Sequence, residues 1–304
     1  MEKNTTPNEL PFCVYDCFTD EKFGGNIGVL VWNAQVLNKV QMSKIAKEFN
    51  APVSGFVLSK EANIISVRFF MPTSEIDMCG HVTIGLFTEL SRNQINKEKK
   101  YILNTPNSSI EIIVNKNQNN IPTVMFSLEL PKKIKVNAEV EAIAKALNIT
   151  INDINPTIPI GAYNAGLKHL FVNINNERIL NSISPKFDDL KNISNKLGIQ
   201  TIACFFVKTS NDSVNLHVRD FCPALGVNET PASGTTNGAL TGYLIENKLI
   251  KPISQKIISH QGYEIERPSK VISIIEVKNG VITNLKVGGN AILNYFGKIK
   301  FQKN

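Results

Sequence analysis

Arg68-Phe69-Phe70-Met71-Pro72 and, 151 positions further on, Arg219-Asp220-Phe221-Cys222-Pro223 share the spacing R-x-F-x-P. Each is followed by a second match, because Glu75-x3-Cys79-Gly80 recurs as Glu229-x3-Ser233-Gly234, displaced by 154. Either match alone would be weak, but two in the same order at nearly the same offset mark an internal duplication. In both copies a strand-like run leads through a loop into a segment of helical periodicity, GHVTIGLFTELSR at 80–92 and TTNGALTGYLIEN at 235–247. Cys79 and Ser233 therefore stand at strand-to-helix turns.

Working outward, the first copy reads as strands at 12–18, 27–32, 55–60, 64–71, 101–104, 109–115 and 123–128. A helix at 39–49 lies among them, with Val40, Ile45 and Phe49 facing inward. The second copy reads as helices at 138–147 and 186–197 and strands near 158–163, 167–173, 203–208 and 213–220. Strands at 255–260, 270–277, 281–288 and 291–300 end the chain. Strands outnumber helices without regular βαβ alternation, so the fold class is α+β. The expected division is an N-terminal domain at 1–130 and a C-terminal domain at 131–304, joined across 125–137, with the last strands free to return to the first.

With 42% hydrophobic residues in 304, the chain has material for a large core. It has no apolar run of about eighteen residues and no signal-like start, which points to a soluble cytoplasmic protein with no membrane partner. Five cysteines, odd and sparse, suit a reducing compartment. Cys13 and Cys17 sit in a strand-like run with no second pair or nearby histidine, so no metal is expected. The net charge of +7 raises the question of nucleic acid, but the lysines are scattered. Short runs at 97–100 and 131–133 read as solvated loops, and a small anionic substrate suits the same charge. No G-x-G-x-x-G, Walker or G-x-S-x-G spacing occurs, which argues against nucleotide cofactors and a serine hydrolase.

A helix start offers free N–H groups and the positive end of the macrodipole, a setting for a carboxylate. Cys79 there reads as a general base with a lowered pKa, and His81 as a neutral imidazole that donates or relays a proton. Pseudo-symmetry would bring the Ser233 turn to the opposite side of one substrate. His169, His217 and His260 read as structural, with His217 exposed or at a cleft edge.

The whole chain also resembles the PhzF-like family of the diaminopimelate epimerase-like fold. The resemblance rests on Asp16-x-Phe18-Thr19, Gly25-Asn26, Pro72-x2-Glu75 with Cys79-Gly80-His81-x-Thr83, and both R-x-F-x-P runs. It continues through Glu229-x-Pro231-Ala232-x-Gly234, Tyr243-Leu244, Gln261-Gly262 with Arg267-Pro268-Ser269, and Val287-Gly288-Gly289. Asp77-Met78-Cys79-Gly80-His81 is similar to the M-C-G-H segment of the proline racemase group. The resemblance implies two pseudo-symmetric domains, each a central helix wrapped by a curved, mostly antiparallel sheet, with the active site in the cleft and no cofactor. It implies catalytic roles for Cys79, His81 and Ser233 and substrate binding by Asn26, Gly80, Gly234 and Thr235, and it admits a homodimer.

The sequence departs from the pattern in three places. The family glutamate of an S-E-T segment is Val53, the E-D-P aspartate is Thr230, and the second epimerase cysteine is Ser233. The expected activity is an isomerase that transfers a proton at a carbon next to the carboxylate of a small acid or amino acid. A hydroxy-acid dehydratase and an inactive binder of an anionic metabolite are the alternatives.

Overall fold

The computed structural model describes residues 8–92, 98–210 and 213–301. Two units divide the chain, Met1–Phe126 with Gly289–Asn304, and Ser127–Gly288. In the first, largely apolar runs that bury both faces form β1 (Glu9–Cys17) and β2 (Asn26–Val31), followed by α1 (Lys39–Phe49), β3 (Val53–Glu61), β4 (Ile64–Phe70) and the short β5 (Glu75–Ile76). Then come α2 (Gly80–Ser91), β6 (Glu98–Asn104), β7 (Ser109–Lys116) and β8 (Pro122–Ser127). The second unit runs β9 (Lys132–Ile134), α3 (Val140–Leu147), β10 (Gly161–Asn164), β11 (Lys168–Asn173), α4 (Glu177–Ser182), α5 (Phe187–Leu197) and β12 (Thr201–Ser210). It ends with β13 (Ser213–Cys222), β14 (Val227–Thr230), α6 (Gly234–Glu246), β15 (Gln255–Gln261), β16 (Ser269–Lys278) and β17 (Val281–Gly289). The final strand, β18 (Ala291–Lys300), returns to the first unit and pairs along β1.

The duplication read from the sequence extends to the strand pairings within each unit. In the first unit β1–β2 is antiparallel, β2–β3 parallel, β3–β4 and β4–β5 antiparallel, β4–β6 parallel, and β6–β7 and β7–β8 antiparallel. In the second unit β10–β11, β11–β12, β12–β13, β13–β14, β13–β15, β15–β16 and β16–β17 repeat those senses in the same order. The class is α+β, mostly antiparallel, with the parallel pairs at the crossovers that carry helices.

Each unit wraps its sheet around one helix. In α2 the buried residues Val82, Thr83, Ile84, Gly85, Leu86, Phe87 and Thr88 follow one another without a break, so every face of that stretch is covered. In α6 the buried run is Thr236 to Thr241, then Tyr243 and Leu244. The surface helix α1 starts with a capping box between Asn38 and Gln41 and buries Met42, Ile45 and Ala46. Val40, expected to face inward, is 61% exposed. It lies two residues before Met42 and so points to the opposite side of the helix.

The basic runs expected in loops fall in strands, Lys99 and Lys100 in β6 and Lys132 and Lys133 in β9, while Lys97 lies outside the described residues. Alternation in these edge regions still leaves Lys100 and Lys133 mostly in solvent. Among the described residues no helix is long and apolar enough to cross a membrane.

Candidate active site

The two matched motifs are ion-pair clamps that brace the turns before α2 and α6. Arg68 donates from Nε to Glu75 Oε1 at 2.7 Å and from Nη2 to Oε2 at 2.9 Å. Its guanidinium also lies 5.5 Å from the centroid of Phe70, two residues along the same strand face. Lys39 adds a 2.7 Å contact to Glu75, and with Arg68 holds that carboxyl down at about 2.

In the second unit Arg219 donates to Glu229 at 3.0 and 2.8 Å and lies 5.0 Å from the Phe221 centroid. Its Nη1 reaches the carbonyls of Leu180 and Ile183 at the end of α4, at 3.2 and 2.7 Å. The fork geometry of arginine against a carboxylate explains why R-x-F and the later Glu recur together. Sequence reading saw the repeat but missed this pairing, although both partners were in the duplicated pattern.

Downstream of each clamp the N-cap residue adopts the same extended conformation, φ −136° and ψ 111° at Cys79, and φ −140° and ψ 118° at Ser233. Two glycines of the remaining motifs shape the surroundings. Gly25, before Asn26, has φ +61°, and a Cβ there would lie 2.1 Å from the Cys17 carbonyl oxygen. Gly262 has φ +80°, and a Cβ would lie 2.5 Å from the Arg267 carbonyl oxygen and 2.8 Å from that of Pro231. Beside it, Gln261 donates to the Thr230 carbonyl at 2.8 Å and accepts from Asn237 at 3.0 Å, which ties the loop before Ser233 to α6.

The first turn brings together Cys79, Gly80, His81 and, through β2, Asn26. The Cys79 Sγ lies 3.3 Å from His81 Nδ1 and 3.6 Å from Nε2. A ring N–H of His81 is held by the Ile27 backbone, next to the buried Asn26 at the start of β2. Cys79 is only 5% exposed, and burial pushes its thiol up to about 12 although the amides of Val82 and His81 act the other way. The lowered pKa expected from its helix-start position is therefore corrected, because desolvation of the thiolate outweighs the amides. His81 is pulled down to about 4 by its surroundings and is neutral near pH 7. Val53 is buried at the start of β3 opposite Gly28, so an apolar side chain stands where the family glutamate was expected.

The second turn holds Ser233, Gly234 and Thr235, all half-buried. Thr236 N donates to Ser233 Oγ at 3.2 Å, and Thr235 Oγ1 lies 3.2 Å from the same oxygen. Behind Ser233 the Thr236 hydroxyl touches Ser233 Oγ at 2.8 Å and donates to the buried Asp220 at 2.6 Å.

Of the three histidines read as structural, His169 is fully buried among hydroxyls, and His260 lies 3.3 Å from the Tyr263 hydroxyl. His217 is also buried, held between Glu177 at 3.2 Å and Glu264 at 3.0 Å, which corrects the exposed placement. That face of β13 is covered by Glu177 of α4 and by Tyr263 and Glu264, so the alternating pattern there does not mark a solvent face. Among the described residues no three His, Cys, Asp or Glu side chains form a group that could hold a metal ion.

Residues 15–297 match the family described as phenazine biosynthesis-like protein, PhzC-PhzF. The chain belongs to this family. An uncharacterized isomerase of Clostridium acetobutylicum is 29% identical over 284 residues, covering 91% of this chain and 94% of the relative. The trans-2,3-dihydro-3-hydroxyanthranilate isomerase of Pseudomonas chlororaphis is 27% identical over 282 residues, covering 92% and 96%. The crystal structure of a PhzF-family phenazine biosynthesis protein from Bacillus anthracis superposes with a TM-score of 0.87 at 22% identity, covering 96% of this chain and 99% of that one. The fold is thus that of the PhzF family, and the chain is a member of a family of isomerases.

Proposed function

We propose that this PhzF-family member is a cofactor-independent isomerase that moves a proton at the carbon next to the carboxylate of a small acid or amino acid. The observation that carries the reading is the Cys79 thiol at the N-cap of α2, 3.3 Å from the ring of a neutral His81. With one ring N–H given to Ile27, the other imidazole nitrogen is an acceptor facing the thiol. A substrate carboxylate at the helix start, near the Gly80 amide and Asn26, brings negative charge that favours imidazolium. His81 then takes the thiol proton, and the thiolate removes the proton from the carbon. The same amides and dipole stabilise the enolate that forms. A thiol held at about 12 gives a thiolate more basic than that of an ordinary cysteine but little of it at neutral pH, so the transfer depends on the substrate charge and the helix-start amides that favour the ion pair. In the second unit Ser233, with Gly234 and Thr235, offers a hydroxyl and a helix start of the same kind as a further group for proton exchange.

The test is incorporation of deuterium from D2O into a panel of L- and D-amino acids and 2-hydroxy acids, followed by mass spectrometry. The wild-type protein is expected to label at least one carboxylate-bearing compound next to its carboxyl group. Cys79→Ala and Cys79→Ser are expected to lower that rate by about 10²-fold or more, the scale of a lost acid–base group. No labelling across the panel sinks the proposal.

A further inference from the structure

A serine hydroxyl has no basicity of its own at neutral pH, so Ser233 can exchange a proton with a carbon acid only if another group stores that proton. Thr236 donates its hydroxyl hydrogen to Asp220 Oδ2 at 2.6 Å. Thr236 Oγ1 is oriented to donate to Ser233 Oγ as well, at 2.8 Å; because a hydroxyl carries one hydrogen, its donation to Asp220 leaves that second contact to the hydrogen of Ser233. The Thr236 amide donates to the same Ser233 oxygen at 3.2 Å and fixes its position. Asp220, Thr236 and Ser233 thus form a continuous line of hydrogen bonds from a buried carboxyl to the half-buried start of α6.

Asp220 occupies the variable position of the second R-x-F-x-P run, where the first run has Phe69. The duplicated architecture therefore does not require a carboxylate there. Among the described residues Asp220 has no basic ion-pair partner, since the neighbouring Arg219 is engaged by Glu229 and by the end of α4.

We propose that Asp220 is the positioning residue and proton store for Ser233, reached through the Thr236 hydroxyl. In the forward direction the C–H bond of the substrate breaks and its electron pair stays on carbon as the enolate. Ser233 Oγ gains that proton and passes its own to Thr236 Oγ1, which passes its own to Asp220 Oδ2. Reversal returns a proton to carbon, so no external acid or base is consumed. Burial raises Asp220 to about 6, close to working pH, where a store can both take and return a proton. The groups facing it are Thr201 on β12, His169 on β11, and Glu229, Cys204 and Cys222, with the histidine pulled down to about 3 and so neutral.

This inference rests on the proton-transfer reading, and its test separates the two. The probe is the acid from the D2O panel that the wild-type protein labels fastest, with kcat and KM measured from pH 4.5 to 8.5. Asp220→Asn and Thr236→Val are expected to lower kcat at least about tenfold with KM held within about twofold, while Thr236→Ser, which keeps the hydroxyl, restores the rate. The wild-type kcat is expected to show a limb near pH 6 that Asp220→Asn lacks. A parallel infrared titration locates the Asp220 carboxyl band, identified by its loss in Asp220→Asn, and is expected to give the same midpoint. Labelling by the wild-type protein with Asp220→Asn and Thr236→Val unchanged in rate and pH profile overturns the store while leaving the isomerase reading intact. An Asp220 midpoint below pH 5 overturns it as well, and absence of labelling by the wild-type protein overturns both.

Discussion

His81 and Asp220 are both displaced from their ordinary titration ranges, in directions that separate measurements can check. The surroundings of His81 disfavour imidazolium, so its ring is expected to stay neutral down to about pH 5 and to protonate near 4, which long-range 15N–1H spectra of the free protein can follow. Asp220 is displaced the other way, from 3.8 to about 6. The sign follows from linkage, because a carboxyl whose folded pKa is raised favours folding below its unfolded pKa, and that contribution is lost as pH rises through the folded value. Denaturant unfolding is expected to show a loss on the order of 3 kcal/mol between pH 4 and 7 from this group, and Asp220→Asn is expected to remove that pH dependence. At this scale the sequence was legible for identity and poor for electrostatics. The neutral state of His81 is expected from its place at a helix start, but burial is what lowers it, and the burial that acts on His81 and Cys79 depends on residues distant in the chain, as does the carboxyl beneath Thr236.

The matched turns owe their shape to arginine clamps, and the two clamps differ in depth. Arg219 and Glu229 are 6% and 4% exposed at their side chains, against 24% and 18% for Arg68 and Glu75. Removing one partner of a buried pair strands the other, so Arg219→Ala or Glu229→Ala is expected to cost about 3–5 kcal/mol. Arg68→Ala, where solvent screens the stranded carboxylate, is expected to cost about 1–2 kcal/mol. Midpoints of urea unfolding compare the variants directly. Most elements were readable from period and turn residues, including α1 to the residue and both helices after the motif turns. The short α4 was missed, because a six-residue helix shows too little periodicity and is signalled chiefly by the Asn176 cap, which accepts from the Ile179 amide.

Across the whole chain, the second unit is continuous in sequence while the first is assembled from both ends. β1 is paired on one side by β2 and on the other by β18, with Ile299 and Phe301 packed against the core that contains Leu10 and Val14. Deleting residues 291–304 is expected to leave β1 with an open edge and to remove amide protection from β1 and β2, read by hydrogen exchange, while β11 to β13 keep theirs. The duplication made the two-unit architecture legible and left the last strands free to return to the first unit; what it did not give was the pairing, in which β18 lies along β1 as β9 lies along β10 even though it sits at the far end of the chain. During synthesis the consequence is temporal. The chain must be made as far as β18, which begins at Ala291, before β1 meets its last neighbour, so the nascent first domain waits with an unpaired edge while the second can already fold.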